Sequence, residues 1–302
     1  MQGPPLKNIC PVLHYTEDDS DQGVERKYMY YSTRSTHIVT SKQEIDLIES
    51  PTWKKMLFLD GTLQSTTRDE VIYHNALVHP LLDMLPQKKN ILILGGGEGA
   101  TAREILRWQG VESVTMVDYD KGLVDLMKEK GLDWACSSLY NRKLRIVYDD
   151  AWNYMRTSPL YNAIVIDLTD PDPIREAWGP LLENAIRSVS PSRGGIVMNA
   201  GLYLPWNTEK LNMIKNMVEE LCGLYTEFKY YMYTAFVPSF NGEWTYIIIS
   251  HEKRYLIEPA HVQCIPPWIQ RSIRMLDPSL LDVPCSTNPI LTPILTRSAV
   301  YI

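Results

Sequence analysis

The chain has 302 residues, 45% of them hydrophobic and 22% charged, which is enough apolar material to bury a sizeable core. Its formal net charge of −6 at pH 7 excludes a dedicated nucleic-acid surface, which needs clustered Lys and Arg, and suits a polycationic small molecule instead. The longest apolar runs, at 163–166 and 246–249, are far short of a membrane span, and five widely spaced cysteines (Cys10, Cys136, Cys222, Cys264, Cys285) without a C-x-x-C pair point to a reduced, cytoplasmic protein lacking structural zinc or any other metal.

The opening Met-Gln-Gly-Pro-Pro-Leu-Lys has no positively charged start followed by an apolar core, so no secretory leader is expected. The acidic stretch from Thr16 to Asp21 has no apolar partner in sequence and is expected to belong to a flexible N-terminal arm over 1–25. From Arg26 to Asp60, short runs rich in Tyr, Thr, Ile and Leu alternate with turn residues such as Ser50-Pro51 and Asp60-Gly61, which predicts a small antiparallel β domain over 26–70. From Val71 the pattern changes to strands alternating with helices. The pairs run 91–94 then 101–109, 114–118 then 122–130, 144–147 then 151–156, and 163–167 then 178–188. Such alternation predicts an α/β domain over 71–302, a doubly wound parallel sheet of Rossmann-like type covered on both faces. After a strand at 196–199 and a helix at 209–221, strands near 227–237 and 244–250 would add an antiparallel edge. The Pro-rich tail beyond Glu258 carries no readable pattern.

Residues 91–99, Ile-Leu-Ile-Leu-Gly-Gly-Gly-Glu-Gly, are the most informative stretch: an apolar strand feeds a glycine turn and then a helix. In the dinucleotide version of this loop, a pyrophosphate rests against backbone N–H groups at the helix N-terminus. Here Glu98 puts a negative charge into that anion site, so the expected ligand is nucleoside-like and cationic, a sulfonium or an amine rather than NAD. Ligands of open parallel sheets sit beyond the carboxyl ends of the strands, and four strands here end in acids. The first gives Glu98. The second gives Asp118, about twenty residues past the loop, the spacing at which an acid accepts ribose hydroxyls. The third gives Asp149 and Asp150, where an acid can accept from an adenine amino group, and the fourth gives Asp167 and Asp170. Any one of them can be a helix cap. Four together point to a ligand.

In type and order, these motifs resemble the polyamine aminopropyltransferases, the family of spermidine, spermine and thermospermine synthases, over roughly residues 26–250. The carriers are Leu-Phe-Leu-Asp-Gly-Thr-Leu-Gln-Ser-Thr-Thr-Arg-Asp-Glu-Val-Ile-Tyr-His at 57–74, Gly-Gly-Gly-Glu-Gly at 95–99, Val-Asp-Tyr-Asp at 117–120, Asp-Asp-Ala at 149–151 and Asp-Leu-Thr-Asp-Pro at 167–171. Glu98, the Asp-Leu-x-Asp-Pro form, and Val-Pro-Ser-Phe at 237–240 with Trp244 are similar to thermospermine synthases. Spermidine synthases typically carry Asp, Asp-Ser-Ser-Asp-Pro and a Tyr at those places. Asn75, where the family usually has Glu, and Arg175 depart from the pattern.

The resemblance implies a methyltransferase-type Rossmann-like fold and transfer of an aminopropyl group from decarboxylated S-adenosylmethionine, a co-substrate rather than a prosthetic group, to spermidine or a similar polyamine, with methylthioadenosine as product. It implies that Gln43, Gln64, His74, Gly95, Gly97, Glu98, Asp118, Asp150 and Ala151 bind the nucleoside. It assigns Asp167 as catalytic base, assisted by Tyr73 and Asp170, and places Tyr73, Asp170, Glu176, Phe240 and Trp244 at the amine. It also implies a homodimer or homotetramer with no nucleic-acid or membrane partner. The residues themselves leave other readings open: a spermidine synthase acting on putrescine, an amine N-methyltransferase on the same frame, or an inactive regulatory paralogue. Glu98 would repel the carboxylate of ordinary S-adenosylmethionine, which disfavours methylation. The presence of both Asp167 and Asp170 disfavours the inactive paralogue.

Overall fold

The computed structural model describes residues 12–19, 23–172, 177–190, 194–251 and 265–281. Two compact units divide between Val71 and Ile72.

In the N-terminal unit, β1 (Val12–Asp19) and β2 (Val24–Tyr31) form an antiparallel hairpin. A second, four-stranded antiparallel sheet follows in chain order from β3 (Ser35–Val39) and β4 (Glu44–Ser50) to β5 (Lys54–Leu59) and β6 (Thr62–Thr66). Ile45, Met56, Leu57 and Phe58 are buried in it. The hairpin corrects the expectation of a flexible arm over residues 12–19: they form a strand, and Glu17 within it has partners distant in sequence. Glu17 is buried and accepts from the Tyr28 hydroxyl and the Leu63 N–H, each at 2.7 Å. Tyr15 packs on Phe58 and donates to Asp46 at 2.9 Å.

The second unit begins within α1 (Glu70–Met84), after which strands and helices alternate. They are β7 (Asn90–Gly95), α2 (Ala100–Leu106), β8 (Ser113–Val117), α3 (Lys121–Lys130), the short α4 (Leu132–Ala135), β9 (Leu144–Val147), α5 (Ala151–Met155), β10 (Ala163–Asp167), α6 (Trp178–Arg187), β11 (Gly195–Tyr203) and α7 (Glu209–Leu224). Then come β12 (Lys229–Val237), β13 (Gly242–Ser250), α8 (Pro267–Gln270) and β14 (Ile273–Met275). The eight strands lie in the order β14-β12-β13-β11-β10-β7-β8-β9. The five from β11 to β9 are parallel, and β13, β12 and β14 form the antiparallel edge. Strands β7 and β10 are covered on both faces, so Ile91–Leu94 and Ala163–Ile166 read as continuous apolar runs, not alternating ones. After β9 the chain returns to lay β10 on the other side of β7, and this reversal of direction is where such sheets open a crevice.

Some bounds differ from the periodicity. Helix α2 stops at Leu106 because Arg107 and Trp108 bond three residues back, to Glu104 and Ile105, in place of a full α turn. Strand β11 runs on to Tyr203 through a bulge between Asn199 and Gly201, where Gly201 takes φ 84°. In α1, Pro80 lacks the N–H that would reach the Ala76 carbonyl. The Tyr233 hydroxyl takes that carbonyl instead, at 2.8 Å, which fixes α1 against the aromatic face of β12 and β13. Among the described residues no helix is long and apolar enough to cross a membrane.

Candidate active site

The glycine loop after β7 is dictated by close approach. Gly95 and Gly96 take φ 82° and 73°. A Cβ on Gly95 would meet the Asp167 carbonyl oxygen at 2.2 Å, and one on Gly97 would meet Asp118 Oδ2 at 2.5 Å. The loop therefore runs against two acids from different strands. Gly96 N–H donates to the Asp167 carbonyl at 3.1 Å. Asp118, just past the end of β8, is buried and accepts from the Asp120 N–H at 2.9 Å. Burial pushes its carboxyl up to about 6; the charges of Asp120 and Asp167 add to this, and backbone N–H groups of Asp120 and Gly97 oppose it.

From α1, His74 Nε2 lies 2.7 Å from Glu98 Oε1, both side chains nearly enclosed. Asp150 is exposed and caps α5, its Oδ1 accepting from Asn153 N–H at 3.0 Å, and Ala151 begins that helix. Asp120 caps α3 in the same way. The capping role open to any single strand-end acid is thus real for Asp120 and Asp150, while Asp118 and Asp167 cap no helix among the described residues.

Asp167 ends β10 opposite Gly95. Its Oδ1 accepts from the Tyr73 hydroxyl at 3.1 Å and its Oδ2 from the Thr101 hydroxyl at 2.5 Å. Burial, reinforced by the Asp167 charge, holds the Tyr73 phenol well above its ordinary range, so it stays a protonated donor. Around Tyr73 stand Phe240 at 6.1 Å, Trp244 at 6.5 Å and Tyr246 at 5.7 Å between ring centroids. Asn199 at the bulge of β11 joins this wall to Asp170: Trp244 Nε1 donates to Asn199 Oδ1 at 2.7 Å, and Asn199 Nδ2 donates to Asp170 Oδ1 at 3.2 Å. Asn75 is fully buried, and among the described residues neither polar atom of its amide has a hydrogen-bond partner. Among the described residues no group of three His, Cys, Asp or Glu is placed to hold a metal ion.

The second unit therefore brings together Tyr73, His74, Gly95, Gly97, Glu98, Asp118 and Asp167 along the loop, with Asp170, Phe240 and Trp244 beside Tyr73 and Asn199. Gln43 and Gln64 belong to the N-terminal unit: Gln43 is buried beside Thr40, and Gln64 Nε2 donates to the Thr62 carbonyl at 3.2 Å. Glu176 and Arg175 lie outside the described residues. Thr101, Asn199 and Tyr246 were not singled out from sequence. Asn199 lies in the fifth parallel strand, so extending the strand-end rule from four strands to five would have found it.

The sequence model described as the spermine/spermidine synthase domain matches residues 70–258. A polyamine aminopropyltransferase of Sulfolobus acidocaldarius is 37% identical over 227 residues, 73% of this chain and 71% of that protein. One of Aeropyrum pernix is 34% identical over 216 residues, 70% and 67% of the two chains. Among solved structures, spermidine synthase from Thermotoga maritima superposes with a TM-score of 0.72 over 88% of this chain and 97% of its own, at 19% identity. A spermidine synthase bound to the transition-state analogue AdoDATO gives 0.74 over 88% and 98%, also at 19%. At that identity the two structures establish a shared fold.

Proposed function

This chain belongs to the spermine/spermidine synthase family, and on that premise we propose that it moves the aminopropyl group of decarboxylated S-adenosylmethionine to a polyamine, with spermidine or a similar triamine preferred over putrescine. The observation that carries the reading is the Asp167 carboxylate, held by Tyr73 and anchored against the Glu98-bearing glycine loop.

The reaction is an in-line displacement. The lone pair of the acceptor amine forms a bond to the aminopropyl carbon next to sulfur, the C–S pair collapses onto the sulfonium, and neutral methylthioadenosine leaves. Sulfur is already a good leaving group, so the chemical difficulty lies with the nucleophile, an alkylammonium that ionises near ~10 and must first lose a proton. Asp167 is assigned as acceptor of that proton. The sulfonium repels a second cation, and closure of the site around the attacking amine disfavours its charged form. Alignment of two bound reactants contributes further. His74, Gly95, Gly97, Glu98 and Asp118 are assigned to the nucleoside, with Gln43, Gln64, Asp150 and Ala151; Asp170, Phe240, Trp244 and Glu176 are assigned to the amine.

The acceptor preference rests on Phe240, packed on Trp244 at 4.5 Å between centroids. Without a hydroxyl there, the wall suits methylenes, and an ammonium over Trp244 would gain roughly 0.5–2 kcal/mol. Free thiols at Cys136 and Cys222 suit a reducing compartment such as the cytoplasm.

The test supplies decarboxylated S-adenosylmethionine with putrescine and spermidine in competition and identifies products by mass. Aminopropylated spermidine is expected as the main product, and chromatography against standards reads which end was extended. Mainly spermidine would overturn the long-amine preference and leave the transfer standing. Methylated amine formed from ordinary S-adenosylmethionine would overturn the transfer itself.

A further inference from the structure

We propose that Thr101 sets the direction of the base, as a positioning residue that locks the Asp167 carboxylate to the glycine loop. The inference rests on the reading of Asp167 as base. Thr101 is fully buried in the first turn of α2, three residues past Glu98. A mid-helix threonine can turn its hydroxyl back to the carbonyl four residues earlier, but Thr101 is the second residue of α2 and the residue four back, Gly97, lies outside the helix. Here the hydroxyl reaches across to another strand and donates to Asp167 Oδ2 at 2.5 Å, the length of a charge-assisted bond.

The consequence is geometric. Tyr73 from α1 holds Oδ1 and Thr101 from α2 holds Oδ2, so rotation of the carboxylate would break both bonds at once. A carboxylate has about four lone-pair sites, and each oxygen keeps one for a proton arriving from the amine. The Asp167 backbone is pinned by the same segment, through Gly96 N–H on its carbonyl and the register of Asp167 with Gly95. A side chain on Gly96 would stand 3.3 Å from Oδ2, so the loop also fits closely around the carboxylate. Main chain and side chain of the base are thus both referenced to residues 95–101, the stretch assigned to the nucleoside. That reference keeps the base in line with the carbon to be attacked.

The test compares Thr101→Val, which keeps the shape and removes the donor, with Thr101→Ser, which keeps the donor. Decarboxylated S-adenosylmethionine is paired with whichever of putrescine and spermidine the parent uses faster, and methylthioadenosine binding is read by calorimetry. Thr101→Val is expected to lower kcat roughly 10- to 100-fold, with the amine KM and the methylthioadenosine Kd within about twofold of the parent. Thr101→Ser is expected to stay within about threefold of the parent kcat. A valine variant with parent-like kcat, or valine and serine variants reduced alike, makes Thr101 packing only and overturns the proposal. If the valine variant does not fold, Thr101→Ala against Thr101→Ser repeats the comparison with the methyl absent from both. Asp167→Asn in the same assay separates the two readings. Retained turnover there removes the base and the proposal with it, whereas an inactive Asp167→Asn beside a parent-like Thr101→Val removes the proposal alone.

Discussion

The indole N–H of Trp244 donates to Asn199 Oδ1 at 2.7 Å, which makes an aromatic wall residue the orienting partner of the amide at the β11 bulge. Gly201 N–H donates to the same oxygen at 2.8 Å, so the amide is fixed with Nδ2 turned to the Leu168 carbonyl and to Asp170. An exposed carboxylate is thereby held in one direction by a buried chain of three residues.

Trp244→Phe keeps a ring on the wall and deletes the donor. Loss of one partner of a buried bonded pair costs about 1–3 kcal/mol, here felt by Asp170 through Asn199. The amine KM is expected to rise on the order of tenfold or more, with methylthioadenosine affinity unchanged. Steady-state kinetics with calorimetry on the same sample check this; a parent-like amine KM removes the relay from the amine site.

Asp167→Asn retains the volume and one acceptor oxygen while removing the carboxylate proposed as proton acceptor. Turnover is expected to fall by roughly 10²–10⁴ with methylthioadenosine binding within a few-fold of the parent. Saturating turnover close to that of the parent would take the base elsewhere.

How much of this was legible in the sequence divides by range of interaction. The doubly wound unit was readable because strand, glycine turn and helix recur locally, and the acids at strand ends follow from chain order alone. What escaped was decided by partners far away in sequence. Residues 12–19 read as an acidic arm because nothing near Glu17 announces Tyr28 and Leu63 as its donors. Thr101 reads as an ordinary helix residue until β10 is laid beside β7 and Asp167 arrives at its hydroxyl. Asn199, in the middle of β11, carries little local signal: Gly201 is a neighbour, but its other partners come from Trp244, forty-five positions on, and from the turn after β10.

Asn75 follows His74 on α1 and is fully buried, with neither polar atom of its amide hydrogen-bonded among the described residues. A buried amide without partners costs about 1–3 kcal/mol. Asn75→Leu, of similar shape, is expected to raise the thermal midpoint by several degrees. A midpoint that falls would mean that the amide is satisfied by bound water in solution.

Asp118 gives the pH dependence a definite sign. Its carboxyl lies at about 6 in the folded protein against an ordinary value of 3.8, because burial penalises the charge and Asp120 and Asp167 repel it. Between those values the folded chain binds a proton that the unfolded chain does not. Asp118's contribution to stability is therefore greatest at the acid end of the window and declines as pH rises through it, by on the order of 3 kcal/mol in all. A nucleoside whose ribose hydroxyls donate to this carboxylate has the opposite preference, because it binds the ionised form best. Methylthioadenosine affinity should therefore rise as pH climbs through about 6 and level off above it, and at pH 5 the Kd should be about tenfold weaker than at pH 8. Asp118→Asn should flatten that profile and weaken binding at pH 8 by about 2 kcal/mol, since the hydroxyls then face a neutral acceptor. Calorimetry across pH 5 to 8 on parent and variant reads both effects. A parent Kd that does not move with pH would show that the ribose does not rest on Asp118.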